Sequence, residues 1–100
     1  MQGKNIVYRY GNGHSYNLKC EGAGLSYRDL SGSEPDIWLG PFQYNSTEIE
    51  SGVYFLAWHE ESRGDYVTLL INFNKGQINS SAIVANKDTY FTHAHIVNES

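Results

Sequence analysis

Turn signals recur along this chain about every ten residues, and most of what lies between them alternates apolar and polar side chains. That rhythm confines the chain to short antiparallel strands. A helix needs apolar residues at every third or fourth position over several turns, and no window here supplies them. Gly11-Asn12-Gly13 is the clearest turn. It separates Ile6-Val7-Tyr8-Arg9-Tyr10 from His14-Ser15-Tyr16-Asn17-Leu18-Lys19-Cys20, in which Tyr16, Leu18 and Cys20 share a face. Two such runs about a Gly/Asn turn predict a hairpin. Glu21-Gly22-Ala23-Gly24 turns the chain into a short strand near residues 25–30, and residues 31–36 carry the longest loop signal. A strand is expected near residues 42–49. Ser51-Gly52 then leads into Val53-Tyr54-Phe55-Leu56-Ala57-Trp58-His59-Glu60, the strongest strand signal in the chain. After a turn at residues 61–65, Val67, Leu69, Ile71 and Phe73 alternate on one face. Asn74-Lys75-Gly76 is a tight turn, and residues 77–84 and 90–97 complete the set.

About eight sequential strands joined by short turns predict an all-β fold. The expected form is a small, closed, antiparallel up-and-down barrel, because closure removes the sheet edges that invite aggregation. An eight-stranded barrel has room inside for side chains or one small ligand. One hundred residues suffice for a single domain, residues 1–100, with one core. A net charge of −4 and seven scattered Lys and Arg argue against a nucleic-acid partner, which would need clustered cations. No apolar run is long enough to span a bilayer. The opening Met1-Gln2-Gly3-Lys4-Asn5 has no apolar signal region, and Cys20 is the only cysteine. These features lead to an expectation of a cytoplasmic chain with no disulfide. Sequons at Asn45 and Asn79 read as chance in that setting. A homodimer is left open.

Few side chains suggest chemistry. Tyr8 and Tyr10 lie two apart on a strand and share a face, where paired phenols could hold an oxyanion. Glu60 has the parity of Tyr54, Leu56 and Trp58, so it falls on a core-facing row, where a carboxylate is costly unless paired. Arg28 could turn inward to orient Glu60, or sit on the rim beside Asp29; strand parity alone leaves both open. His93 and His95 share a strand face at a spacing that suits a metal, but a third ligand is wanting, and no metal is expected. Cys20 has core-like parity, and buried thiols are usually inert. There is no phosphate-cradling glycine loop, so no cofactor is expected.

Three segments in order carry a resemblance. They are Val7-Tyr8-Arg9-Tyr10-Gly11-Asn12-Gly13-His14-Ser15-Tyr16, then Tyr27-Arg28 with Ser31-Gly32, then Gly52-Val53-Tyr54 through Trp58-His59-Glu60 with Asp65. Together they resemble the phenolic acid decarboxylases and the related MoaF-like proteins, which share a small lipocalin-like barrel. The resemblance covers about residues 6–84. In the decarboxylases two Tyr, one Arg and one Glu carry out cofactor-free loss of carbon dioxide from hydroxycinnamic acids. The match places that set on Tyr8, Tyr10, Arg28 and Glu60. This chain lacks the decarboxylases' long extension beyond the barrel, has His14 where they carry an aromatic, and matches the Arg-Trp segment of their long loop only by Trp38. Its compact length is more similar to the MoaF-like proteins. The resemblance therefore implies, first, a module that binds a small aromatic or carboxylated ligand inside the barrel, with Tyr16, Tyr54, Leu56, Trp58 and Leu69 around the polar set. The alternative it implies is a decarboxylase.

Overall fold

The computed structural model covers residues 1–100 and contains nine strands and no helix. They are β1 (Asn5–Tyr10), β2 (Ser15–Glu21), β3 (Gly24–Asp29), β4 (Leu39–Phe42), β5 (Tyr44–Glu50), β6 (Val53–Glu60), β7 (Asp65–Asn72), β8 (Gln77–Val84) and β9 (Asp88–Glu99). The count exceeds the expected eight because residues 39–50 form two strands broken at Gln43. All nine join one sheet in the order β4-β3-β2-β1-β9-β8-β7-β6-β5, and every neighbouring pair is antiparallel. Pairing of β1 with β9 rolls the meander into an all-β, up-and-down barrel. Its one break lies between β4 and β5, which follow each other in the chain and do not pair. The barrel is nearly closed, with a seam at that break.

Alternation explains which face is inside. Ile6, Leu18, Cys20, Leu25, Leu56, Leu69, Ile71 and Ile78 are almost wholly buried and fill one half of the interior. That half lies toward the β2–β3, β5–β6 and β7–β8 turns. Burying a Leu or Ile side chain stabilises by about 1.5–3 kcal/mol, so this cluster is the main support of the fold. The seam strand β4 lies close against β3 at two glycines. A Cβ on Gly40, at φ +116°, would meet the Leu25 carbonyl oxygen at 2.7 Å, and one on Gly24 would collide with the Phe42 carbonyl. Only glycine fits both positions. The loop from Leu30 to Trp38 crosses the outer face, where Lys19 and Arg28 both lie over the Trp38 ring, at 4.2 and 4.8 Å. The model has no helix long and apolar enough to cross a membrane.

Leu69→Ala should lower stability by about 2–5 kcal/mol in urea denaturation, since it empties space in a close-packed interior. Phe91 is 91% exposed on the outer face, and Phe91→Ser should shift stability by no more than about 0.5 kcal/mol.

Candidate functional site

Toward the β1–β2, β6–β7 and β8–β9 turns the filling changes from aliphatic to aromatic, and an interior cavity of about 490 Å3 opens. Tyr8, Tyr10, Tyr16, Tyr27 and Trp58 wall it. Tyr8 and Tyr16 are direct cross-strand partners. Their rings stack 5.9 Å apart at 27°, and Tyr10 stands edge-on to both. Tyr27 continues the wall to Trp58, with ring centroids 5.9 Å apart.

Glu60 is the polar centre of this wall. It is only 2% exposed, yet its carboxyl group is well supplied with donors. The Tyr27 hydroxyl donates to both oxygens, at 2.9 and 3.1 Å, and the Trp58 indole N–H donates to Oε2 at 2.8 Å. Arg63, from the turn after β6, lies 3.7 Å from Oε1 and also 3.6 Å from Asp65. Asp65 in turn accepts the Ala85 N–H at 2.8 Å. A buried carboxyl group is tolerated because its oxygens are satisfied in this way.

Not every hydroxyl is so engaged. Tyr10 bonds to Ser80 at 3.1 Å, and Ser80 to Thr92 at 2.8 Å. Tyr8, 4% exposed, has no hydrogen-bond partner in the protein, and neither does the Tyr16 hydroxyl. Every fully buried polar side-chain atom has a partner, so the free Tyr8 oxygen is one that reaches the cavity. Burial pushes the phenols of Tyr8, Tyr10 and Tyr16 above their ordinary value. Tyr27 is raised by burial first, and then by the charge of Glu60 and the bond to it. These groups are neutral hydrogen-bond donors across the physiological range.

Of the residues singled out in the sequence, Tyr8, Tyr10, Tyr16, Trp58 and Glu60 line this cavity. Arg28 does not. Tyr27 shares its strand face with Leu25 and points inward, so Arg28 points outward. There its Nε donates to Asn17 at 3.1 Å, and its Nη1 lies 3.8 Å from Asp36. The cation beside Glu60 is Arg63 instead. Leu56 and Leu69 belong to the packed core below the cavity. Tyr54 lies toward the opposite end, edge-on to Phe73 at 5.8 Å. Reading the residues alone missed Tyr27, Arg63, Ser80 and Thr92. Alternation with Leu25 could have found Tyr27. Arg63 sits in a turn, which has no parity to read.

His93 and His95 stand edge-on, 5.2 Å apart, and His93 Nδ1 pairs with Asn79 Oδ1 at 3.0 Å. No group of three or more His, Cys, Asp or Glu side chains is placed to hold a metal ion. A groove of about 610 Å3 runs outside along the seam, and Trp58 and Glu60 form the wall it shares with the interior cavity. The interior cavity is the better candidate site, because the unpaired hydroxyls face it.

Tyr27→Phe and Tyr8→Phe should behave oppositely. The first strips a donor from buried Glu60 and should cost about 1–3 kcal/mol in chemical denaturation. The second removes a hydroxyl that bonds to nothing in the protein and should leave stability unchanged or slightly higher. The raised phenol values also set an alkaline limit. Above pH about 10 the unfolded chain loses phenolic protons that the folded chain keeps, so stability should fall progressively from there. Denaturation midpoints measured from pH 8 to pH 11 check this.

A Burkholderia vietnamiensis protein, provisionally called a β-lactamase, has a crystal structure that matches this one with a TM-score of 0.81. The match is 20% identical and covers 95% of this chain and 91% of that one. At that identity the likeness concerns the fold alone, and this chain carries no Ser-x-x-Lys pair of the kind serine β-lactamases use. No curated protein matches the chain. A family model described as MoaF-like matches residues 2–97, nearly the whole barrel whose interior holds this tyrosine-walled cavity. The chain belongs to the MoaF-like family.

Proposed function

We propose that this barrel is a binding module for one small aromatic molecule, held in the interior cavity among Tyr8, Tyr16, Tyr27 and Trp58. The observation that carries the reading is Tyr8, a residue only 4% exposed whose hydroxyl opens onto the cavity and has no partner in the protein. A hydroxyl donor that opens onto a cavity and is used by nothing in the protein is free to bond an occupant of that cavity. A cavity of about 490 Å3 lies in the usual range for small-molecule sites, and its ring-lined walls suit a flat ring. A carboxylated ligand is the variant that the family resemblance suggests.

The second reading is cofactor-free decarboxylation of a phenolic acid. The observation favouring it is Glu60, a carboxyl group buried beside the tyrosines and within reach of the cavity. In that chemistry the carbon–carboxylate bond breaks, carbon dioxide leaves, and Glu60 delivers a proton to the carbon that held it. Arg28 is turned away from this site, so Arg63 would take the part of the orienting cation.

Native mass spectrometry of the protein with a panel of aromatic acids, ketones and lactones, read together with carbon dioxide release, tests both. Retention of at least one aromatic compound without carbon dioxide is the expected result. Retention of none removes the binding reading. Should carbon dioxide appear, Glu60→Gln should abolish it while leaving binding within about tenfold, a difference of roughly 1.4 kcal/mol.

A further inference from the structure

The charges around the interior cavity and the hydroxyls left free in it are informative about the ligand. We infer that the cavity takes an uncharged aromatic carbonyl compound, an aryl ketone or lactone, whose oxygen sits between the hydroxyls of Tyr8 and Tyr16, and that it disfavours carboxylates. This inference rests on the binding reading above.

Charge is the first support. Asp29, Glu60 and Asp65 line the cavity against a single Arg, Arg63. That guanidinium is already shared between Glu60 at 3.7 Å and Asp65 at 3.6 Å. The chain as a whole carries a net charge of −4. A ligand carboxylate would bring one more negative charge among three carboxyl groups and find no free cation. A carbonyl oxygen offers two lone pairs and no net charge.

Geometry is the second. Tyr8 and Tyr16 pair directly across β1 and β2, and their rings are 5.9 Å apart and near-parallel at 27°. An O–H···O hydrogen bond spans about 2.7–2.8 Å, so two hydroxyls donating along the lone pairs of one carbonyl oxygen stand about 4.8 Å apart. Near-parallel rings on directly paired positions, both lining the cavity, present their two hydroxyls to the same occupant. Tyr10 is the nearer neighbour of Tyr8 along the strand, but its hydroxyl is taken by Ser80 at 3.1 Å. The donor pair therefore runs across the sheet, from β1 to β2, and not along β1. Burial keeps both phenols protonated, which preserves them as donors.

Two probes with the same ring separate the possibilities. Isothermal titration calorimetry at neutral pH compares 4-hydroxyacetophenone, a neutral ketone, with 4-hydroxybenzoate, its carboxylate counterpart. The ketone should bind at least tenfold more tightly. Tyr8→Phe and Tyr16→Phe should each weaken the ketone about fivefold without lowering the melting temperature. Tyr66→Phe, on the outer face, should leave both titrations unchanged. Equal or tighter binding of the benzoate overturns the inference, as does ketone binding that ignores both Tyr8→Phe and Tyr16→Phe. If the ketone fails while other aromatic compounds from the panel are retained, this inference falls and the binding reading stands. If nothing aromatic binds, both fall.

Discussion

The pairing of β1 with β9 is the constraint on which the rest of this structure depends. Every other ladder joins strands that are neighbours in the chain. This one joins the two ends, so that the Asn5 N–H donates to the Ser100 carbonyl at 3.0 Å and the Ser100 N–H donates to the Asn5 carbonyl at 2.8 Å. Without it the strands would form an open, twisted ribbon with the core face exposed on one side. Closing a loop of that length costs about 4 kcal/mol of chain entropy. Burial of the aliphatic cluster offsets this cost, since the cluster is complete only when Ile6 on β1 and Ala94 on β9 come together with β6, β7 and β8. The same closure brings Tyr10 against Ser80 and so assembles one side of the cavity.

Much of this was legible in the residues. Alternation set most strand positions and the facing of Tyr8, Tyr16 and Trp58, because a half-buried sheet repeats every two residues and one face must be apolar. β4 was not legible. Leu39-Gly40-Pro41-Phe42 carries a glycine and a proline and does not alternate, so its strand character comes from lying against β3. Arg28 shows a subtler limit. Tyr27 has the parity of inward-facing Leu25, which is a signal, but a tyrosine also suits an outer face, and only its register opposite buried Leu18 settles that Arg28 faces out. Arg63 shows the firmest limit. It reaches Glu60 from a turn, and nothing in a turn's sequence says where a long side chain will end.

Tyrosine is suited to both duties in the aromatic half of this barrel. Its ring supplies apolar wall, and its hydroxyl either ties into the protein, as in Tyr10 and Tyr27, or is left for an incoming group, as in Tyr8 and Tyr16. The division is set by what stands opposite. Tyr10 faces Ser80, and Tyr27 faces Glu60. A site built in this way gives up some stability, because an aliphatic residue at position 8 would bury more cleanly. The aliphatic half carries no such compromise, and the two halves divide folding and recognition between them.

The seam between β4 and β5 has a consequence for the order in which the chain can be written. Starting at β5 and passing through β9 to β1 and on to β4, the sheet is a plain meander in which each strand lies beside the next. The native chain is therefore a circular permutation of that meander. Its ends meet at Asn5 and Ser100, and Gln43 lies where no ladder crosses. A chain of these nine strands re-cut to open at Gln43, with Ser100 joined to Asn5 by a short turn, would form the same barrel through nearest-neighbour hairpins alone. It would also exchange the long-range closure for a local turn.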